Sequence, residues 1–501
     1  MREQPRVRNV AAVAALGESL SDAQRRAFSR ARRSRDPRFD GCFFVGVETT
    51  GIYCRPICPA PIAKESNVRY YLSAAAAVSE GFRPCLRCRP EAAPGTPAWQ
   101  GTATTVRRGL QLIGEGALDN DDVEGLATRL GIGERHLRRL FVEHLGASPL
   151  QIATTRRLHF ARRLLVETEL RITDIAFAAG FGSVRRFNAA FRKTYQEAPR
   201  ELRRRGGSSA DGGTTLRLAY RPPFDFPRLL AYLRPRAIPG VEWVGESYAR
   251  TLPVGDDRVV WLEVGQAKGD ALQLTVHDAS PEDILPTVRA VRRLFDLDAD
   301  PGEIARSFAG DALLTELLAV DDGVRVPGAV DPFECAVRVL LGQQVTVKGA
   351  TTLTGRLVER FGGKTVCAGG RLTHVFPRAE ALVEADLGGV GLPKARAQAL
   401  HALARAVAEG SVDLSPLSDR ARTRRALEAV RGIGPWTADV IALRALHDPD
   451  VFPAGDLGLR RAAGAEVSEA QLRRRAEAWA PWRSYAALLL WRAAATESTT
   501  N

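Results

Sequence analysis

Two pairs of cysteines near the start of the sequence have the spacing of metal ligands. Cys54 and Cys58 form a C-x3-C pair, and Cys85 and Cys88 form a C-x2-C pair. Four thiolates in two close pairs are typical of a closed tetrahedral zinc site. Seven cysteines in 501 residues are too few for a disulfide framework. The spacing therefore predicts one Zn²⁺ bound by four cysteines, and taken alone it favours a site that only stabilises a small fold.

A second group of residues that could do chemistry lies near the end of the chain. Residues 430–439 contain the Gly-Ile-Gly core of a helix-hairpin-helix. Gly432 and Gly434 let the backbone approach a DNA phosphate, and the amides of the following helix bind that phosphate without reading the base sequence. A carboxylate, Asp456, follows the hairpin by 22 residues. The glycine pattern alone is equally typical of an ordinary turn between two helices.

Two similar segments about 50 residues apart each predict a helix, a tight turn and a second helix. In the first, a helix from residue 122 leads through Gly131 into a helix over 134–141. In the second, a helix from residue 172 leads into a helix over 183–193. One long helix is predicted between them, over 148–167. The pattern indicates two helix-turn-helix units.

The predicted secondary structure and the net charge both differ between the two ends of the chain. Apolar alternation within 214–285 predicts strands, whereas 286–496 shows helical spacing with short glycine and proline breaks. Residues 1–210 contain 35 Lys and Arg against 21 Asp and Glu, a net charge of +14, and the rest of the chain has a net charge of −1. A basic half indicates a polyanionic partner, most simply nucleic acid.

The composition also bounds the class of protein. Hydrophobic residues make up 45% and charged residues 26%, which excludes a disordered or collagen-like chain. Residues 206–213 have the composition of a flexible linker. No segment approaches the apolar length of a membrane span, and the apolar run 10–16 is short and followed at once by charges. Paired free cysteines are typical of a reducing compartment, so we expect a cytoplasmic protein.

The residues around the cysteines resemble the N-terminal domain of the Ada methylation-response proteins, across about residues 36–92. The resemblance rests on the runs 50–58 and 81–88. It implies that Cys54 accepts a methyl group from a DNA methylphosphotriester while all four cysteines bind zinc. Zinc would keep Cys54 a thiolate at neutral pH, and its methylation would remove one negative charge and tighten DNA binding. The family's basic residue after the second cysteine is absent here. Its phosphate contact could pass to Arg55, Lys64, Arg83 or Arg87, although each of these could equally be a solvated surface charge.

The paired helix-turn-helix segments resemble the AraC-type DNA-binding domain across residues 103–204, most specifically over 175–199. The resemblance implies two recognition helices on one rigid body, which enter successive major grooves. The expected DNA contacts are Arg135, Arg138 and Arg139 in the first helix, and Ser183, Arg185, Arg186 and Asn188 in the second. Each arginine could instead contact only phosphate or be a solvated surface charge.

Residues 214–496 resemble the AlkA-type 3-methyladenine DNA glycosylase II of the helix-hairpin-helix superfamily. The resemblance rests on the hairpin with Asp456 and on the runs 221–225, 293–297, 326–328 and 339–345. It implies excision of alkylated purines, with Asp456 as the catalytic carboxylate that stabilises an oxocarbenium-like transition state. Trp436 and Trp491 match aromatic residues of the base pocket, although either could simply pack in the core.

Three positions refine this resemblance. Trp436 stands where lyase-competent members have a lysine, so no amine is available for a Schiff base and a monofunctional enzyme is expected. Gln344 stands where the family has the apolar residue that fills the gap left by the flipped base. Val440 stands where a pocket tyrosine is expected.

Together these patterns predict a multidomain α+β protein: a small zinc-binding α/β domain, an all-α double helix-turn-helix, a small antiparallel β domain and an all-α helix-hairpin-helix glycosylase domain. The expected divisions are an extension (1–35), the zinc domain (36–93), the helix-turn-helix domain (103–204), a linker (205–213), the β domain (214–285) and the glycosylase domain (286–496).

The predicted function is a response to DNA alkylation. The chain accepts a methyl group on a zinc-bound cysteine, activates transcription of repair genes, and excises 3-methyladenine-type bases. Its expected partners are double-stranded DNA and RNA polymerase, with no membrane. The alternative is a zinc-stabilised transcription factor whose glycosylase-like domain binds DNA without catalysis.

Overall fold

A computed structural model describes residues 20–88, 90, 104–119, 121–168, 170–203, 213–254, 258–464 and 467–500. The chain divides into two compact units, Met1–Ser208 and Ser209–Asn501. The apolar run 10–16 and the predicted linker, apart from its last residue, lie outside the described residues. Within the described part, none of the helices combines the length and the apolar character that a membrane crossing requires.

The first unit begins with a helix and a small mixed sheet, and we call residues 22–88 the cysteine domain. Its elements are α1 (Asp22–Ser34), β1 (Phe44–Val47), β2 (Ile52–Cys54), β3 (Val68–Tyr71), α2 (Ala74–Ser79) and β4 (Arg83–Pro84). The strand order is β3-β1-β2-β4, in which β1 pairs antiparallel with β2 and β3 and β2 pairs in parallel with β4. Because side chains alternate along a strand, Phe44 packs with Tyr53 against α2 while Val45 packs with Ala31 of α1.

Helices form the rest of the first unit. They are α3 (Thr104–Glu115), α4 (Val123–Arg129), α5 (Glu134–Leu145), α6 (Pro149–Glu167), α7 (Ile172–Ala178), α8 (Val184–Tyr195) and α9 (Pro199–Arg203). The side chains of Asp122, Ser148 and Ser183 accept amide hydrogen bonds at the starts of α4, α6 and α8. The pairs α4–α5 and α7–α8, joined by α6, confirm the predicted double helix-turn-helix.

The second unit begins with an antiparallel sheet. Its elements are β5 (Thr214–Ala219), α10 (Phe226–Leu233), β6 (Glu242–Val244), β7 (Tyr248–Val254), β8 (Arg258–Gln266) and β9 (Ala271–His277). The strand order is β5-β9-β8-β7-β6. Val260, Leu262 and Val264 of β8 are completely buried, which is the alternation expected of a sheet with one face on the core. The small antiparallel β domain is therefore confirmed.

The remainder of the second unit is mainly helical. Its helices are α11 (Pro281–Leu294), α12 (Pro301–Phe308), α13 (Ala312–Val320), α14 (Pro332–Leu341), α15 (Val347–Phe361), α16 (Ala379–Leu382), α17 (Lys394–Ala408), α18 (Arg420–Ala429), α19 (Pro435–Arg444), α20 (Leu457–Ala463), α21 (Glu469–Ala476) and α22 (Arg483–Thr500). Leu340 of α14, Leu400 of α17 and Ile441 of α19 are completely buried in one core. The helical domain is confirmed, with one addition: a hairpin of β10 (Gly363–Cys367) and β11 (Leu372–Val375).

Candidate functional sites

The strand pairing of the cysteine domain brings its four cysteines together. Cys54 ends β2, and β4 lies parallel to β2 with Pro84 opposite Tyr53, so Cys54 and Cys85 leave the sheet side by side. All four sulfur atoms lie within 4.8 Å of one another. Cys85 and Cys88 are buried, whereas Cys54 and Cys58 are partly exposed. The cluster therefore combines two buried cysteines with two that are partly exposed.

The chemistry of this donor set fits a zinc ion. Hydrogen bonding within the cluster raises the pKa of Cys54 and Cys88, whereas it lowers the pKa of Cys58 to about 7 and also lowers that of Cys85. The thiols of this cluster therefore do not all ionise readily by themselves. A divalent cation held by all four sulfurs would stabilise all four thiolates. The predicted cofactor, one Zn²⁺ bound by four cysteines, is confirmed by this arrangement.

Arg55 lies beneath the cysteine cluster. Its Nε donates to Asp40 Oδ1 at 2.8 Å, and its Nη1 donates to the carbonyl oxygen of Cys88 at 3.1 Å. The Arg55 backbone amide donates to Cys88 Sγ at 3.3 Å. With its side chain only 14% exposed, Arg55 supports the metal site from inside. Among the basic residues considered for a phosphate contact, Lys64 and Arg87 are the exposed ones.

The first predicted recognition helix, α5, is amphipathic. Leu137 and Phe141 are completely buried on its inner face. Arg135, Arg138 and Arg139 are exposed on the opposite face. Arg138 Nε donates to Glu134 Oε1 at 2.8 Å, and Arg139 Nη2 lies 2.9 Å from His136 Nδ1. The predicted arginines thus share one accessible surface, with two of them oriented by neighbours on the same helix.

The second predicted recognition helix, α8, is built in the same way. Phe187, Phe191 and Tyr195 form a run of aromatic contacts on its buried face. Arg185 and Arg186 are exposed, and Asn188 is partly exposed. Ser183 has a structural task as well, because its Oγ accepts the Arg186 amide at 3.3 Å and caps the helix.

The helix-hairpin-helix consists of α18, a glycine turn and α19. Gly432 has a φ of +92°, and a Cβ added there would lie 2.5 Å from the Ala399 Cβ. Both observations require glycine at this position. Gly434 caps α19, and nothing lies within 4 Å of where its Cβ would be. The start of α19 therefore has room for a phosphate of the DNA backbone.

Asp456 lies between two tryptophans from different helices. Its Oδ2 accepts a hydrogen bond from Trp436 Nε1 of α19 at 2.9 Å. Its Oδ1 accepts from Trp491 Nε1 of α22 at 3.0 Å and from the Leu459 amide of α20 at 3.0 Å. Asp456 and both tryptophans are partly exposed, so neither tryptophan is a core residue. No pattern in the sequence indicates these indole hydrogen bonds.

Asp439, the nearest carboxylate in the hairpin sequence, has a different environment. It is 9% exposed and accepts a hydrogen bond from Arg424 Nε at 2.7 Å. Burial raises the pKa of Asp439. It contributes to the packing of α18 against α19, whereas Asp456 is partly exposed beside the hairpin.

Gln344 lies in the exposed turn between α14 and α15. Its backbone adopts a φ of +54°, which is rare for a residue with a side chain. The preceding Gln343 fixes the turn, because its Nε2 donates to Thr437 Oγ1 at 2.8 Å and its carbonyl accepts from Arg396 Nη2 at 2.7 Å. The turn that presents Gln344 is therefore held against the hairpin helix α19, which also carries the partly exposed Val440.

Family models match four successive parts of the chain. They describe the metal binding domain of Ada at residues 27–91, a helix-turn-helix domain at 126–205, the AlkA N-terminal domain at 215–331, and an HhH-GPD superfamily base excision DNA repair protein at 337–471.

Curated relatives match at full length and in part. A probable bifunctional transcriptional activator/DNA repair enzyme AlkA from Mycobacterium tuberculosis is 43% identical over 92% of this chain and 95% of its own length. The DNA-3-methyladenine glycosylase 2 of Escherichia coli is 34% identical over 55% of this chain and 95% of its own length. A solved 3-methyladenine DNA-glycosylase from Archaeoglobus fulgidus shares the fold, with a TM-score of 0.50 and 23% identity over 56% of this chain and 99% of its own.

Proposed function

The chain belongs to the family of bifunctional transcriptional activator/DNA repair enzymes of the AlkA type, and we propose that it both senses DNA alkylation and removes alkylated bases. The second unit is a DNA glycosylase that acts on 3-methyladenine-type lesions in double-stranded DNA. The observation that carries this assignment is the accessible Asp456 carboxylate beside the helix-hairpin-helix, held by two indole N–H groups. We propose that the four domains have the predicted bounds: the zinc domain at 36–93, the helix-turn-helix domain at 103–204, the β domain at 214–285 and the glycosylase domain at 286–496.

Asp456 is proposed as the catalytic carboxylate. When the N-glycosidic bond breaks, the base leaves with the bonding electron pair and positive charge develops at C1′. A carboxylate fixed beside that carbon stabilises the charge and orients the water that attacks it. Three N–H donors hold the two Asp456 oxygens in place, so the carboxylate does not need to reorganise during the reaction.

Trp436 and Trp491 are proposed to line the base pocket as well as to hold Asp456. Alkylation at N3 or N7 gives the purine a positive charge, and aromatic faces attract such a base by stacking and cation–π interaction. Trp436 also occupies the position at which a lyase would need a lysine. We therefore propose hydrolysis that leaves an intact abasic site, with no Schiff base to the protein.

The hairpin supplies DNA binding without sequence preference. The open start of α19 around Gly434 offers backbone amides and the positive end of the helix to a phosphate. Gln344, presented on the turn that Gln343 holds against α19, is proposed to enter the duplex where the base has been flipped out. Its amide can hydrogen-bond to the bases there, which the family's apolar residue cannot do.

Cys54 is proposed as the acceptor of a methyl group from a DNA methylphosphotriester. The new S–CH3 bond forms as the O–CH3 bond of the triester breaks, and a phosphodiester anion leaves. With Zn²⁺ held by Cys54, Cys58, Cys85 and Cys88, the Cys54 sulfur would stay ionised at neutral pH. The partial exposure of Cys54, in contrast to the burial of Cys85 and Cys88, supports its access to a DNA phosphate.

The helix-turn-helix domain is proposed to bind promoter DNA and to recruit RNA polymerase. The exposed arginines of α5 and α8 can contact phosphates and base edges: Arg135, Arg138, Arg139, Arg185 and Arg186. Ser183 caps the second recognition helix, α8, and Asn188 lies within it. Methylation of Cys54 lowers the negative charge of the cysteine domain, which favours binding to the DNA polyanion and so activation.

The glycosylase assignment is tested with methylated duplex DNA and purified full-length protein. The wild type is expected to release 3-methyladenine, and Asp456→Asn, which removes the carboxylate charge, is expected to release it at least about 100-fold more slowly. Asp322→Asn is a matched control, since Asp322 is exposed in the same unit. Equal release by wild type and Asp456→Asn would contradict the assignment, and no release by the wild type would favour the non-catalytic alternative.

The methyl acceptor is tested by peptide mass spectrometry of the same samples. A gain of about 14 Da, one CH2, is expected on the peptide that contains Cys54. The gain is expected to persist in the Cys367→Ser control, because Cys367 lies in the second unit outside the cysteine cluster. Methylation that survives Cys54→Ser would assign the acceptor to another residue.

A further inference from the structure

The residue that precedes the proposed acceptor connects the cysteine domain to the helix-turn-helix units. Tyr53, completely buried in β2, has its hydroxyl 2.9 Å from His159 Nε2 in α6. Burial, with a contribution from Arg156, lowers the pKa of His159 to about 4. A tyrosine hydroxyl ordinarily ionises only at a pH of about 10. At neutral pH both groups are therefore uncharged, and the Tyr53 hydroxyl donates to the imidazole of His159.

The second recognition helix packs against the same domain. α8 lies against β4, the strand that pairs with β2. Tyr195, near the end of α8, is 5% exposed, and the guanidinium of Arg162, one turn after His159 in α6, lies 5.5 Å from the Tyr195 ring. The cysteine domain thus contacts both α6 and α8.

A separate contact reaches the end of the first recognition helix. Ser73, 1% exposed before α2, donates its hydroxyl to the carbonyl oxygen of Leu145, the last residue of α5, at 2.9 Å. Gln151 Nε2 at the start of α6 donates to Ser79 Oγ at the end of α2, also at 2.9 Å. The cysteine domain is therefore hydrogen-bonded to the end of α5 and the start of α6, and it also packs against α8.

We infer that Tyr53 and His159 fasten the methyl-acceptor domain onto the double helix-turn-helix, so that Cys54 and both recognition helices meet DNA as one rigid body. Tyr53 and His159 are then positioning residues of the transcriptional response. This inference rests on the proposed function, because it assigns a role in the response to methylation of Cys54. The loss of one negative charge at Cys54 does not by itself explain how the methylated site is coupled to promoter binding, and the inference supplies that coupling.

The physical reason is preorganisation. The methylated site strengthens promoter binding fully only if it is already held at a phosphate when the recognition helices occupy their grooves. If the cysteine domain were only tethered, its contact with DNA would be limited by the effective concentration that the connecting segment allows. The Tyr53–His159 hydrogen bond reduces that limit, because it holds the residue adjacent to Cys54 against the helix between the two helix-turn-helix units.

The test measures the ratio of promoter affinity after and before methylation of Cys54 in the full-length protein. Tyr53→Phe and His159→Leu each remove one partner and leave the other unpaired, and each is expected to reduce this ratio by about tenfold. The double variant Tyr53→Phe/His159→Leu lacks the same hydrogen bond and is expected to reduce the ratio by about as much as either single variant, because the two side chains act through one contact. His159→Gln keeps an acceptor and is expected to stay within about twofold of the wild type.

Zinc content and the mass gain on Cys54 are measured in every variant, and both are expected to be unchanged because the variants leave the four cysteines intact. A general loss of folding would change them, whereas a loss of positioning changes only the affinity ratio. If the wild type shows the methylation-dependent gain and both single variants retain it within twofold, the inference is overturned while the proposed function stands. If the wild type takes up no methyl group or shows no gain, the proposed function fails, and the inference fails with it.

Discussion

Replacing Trp491 by phenylalanine separates two roles that one side chain could have in base excision. Phenylalanine keeps an aromatic face for stacking but has no N–H group. In the wild type, Trp491 Nε1 donates to Asp456 Oδ1 at 3.0 Å. If the indole only stacks on the flipped base, Trp491→Phe should be nearly neutral. If it positions the carboxylate, the rate of base release should fall.

The magnitude follows from the hydrogen bonds around Asp456. A hydrogen bond to a charged group contributes about 1.5–3 kcal/mol. Trp491→Phe removes one of three donors and leaves those from Trp436 and from the Leu459 amide at 2.9 and 3.0 Å. At about 1.4 kcal/mol per tenfold change, we expect base release to slow by about 10- to 100-fold. Trp436→Phe should have an effect of the same order.

The assay is single-turnover release of 3-methyladenine with enzyme in excess, so that product release does not mask the chemical step. Trp479→Phe is the matched control, because Trp479 Nε1 donates to Asp311 Oδ2 at 2.9 Å away from the hairpin. It removes the same kind of hydrogen bond and is expected to lower stability without slowing release by the folded protein. A Trp491→Phe rate within twofold of the wild type would refute the positioning role.

Three further outcomes are expected. Cys88→Ser should lower bound zinc from one equivalent to well below it, since one of four thiolates is lost; full occupancy by metal analysis would contradict the four-cysteine site. Gly432→Ala should lower the free energy of unfolding by about 1–3 kcal/mol, because its Cβ would lie 2.5 Å from Ala399 Cβ, and an unchanged urea midpoint would argue against that geometry. Gln344→Gly should raise stability by about 1 kcal/mol by relieving the left-handed backbone, while base release slows; release at the wild-type rate would show that the Gln344 side chain has no part in it.

The metal centre could be predicted from the sequence because its ligands are two local pairs. Spacing within each pair is set by tight turns, and the parallel pairing of β2 with β4 then only has to bring the pairs together. The helix-turn-helix units were predictable for a similar reason, since their apolar periodicity and their glycine turns are local. In both cases the residues that determine the local structure lie close together in the sequence.

The surroundings of Asp456 could not be predicted in this way. Trp436, Asp456 and Trp491 lie on three separate elements, and only the packing of α19, α20 and α22 brings the indole N–H groups to the carboxylate. The same holds for Tyr53 and His159, which are 106 positions apart. Arg55 shows that residue type alone does not identify a contact. A basic side chain there suggested a phosphate contact, but the structure places it against Asp40 and Cys88.

Methylation of Cys54 is proposed to raise the affinity of the protein for DNA. This proposal is tested by titrating the full-length protein onto one promoter duplex, selected from random-sequence DNA, before and after exposure to methylphosphotriester DNA at matched ionic strength. Tighter binding by the methylated protein is expected, because the cysteine domain has lost one negative charge near the phosphates. Equal affinity of the two forms, with the mass gain on Cys54 verified, would contradict it.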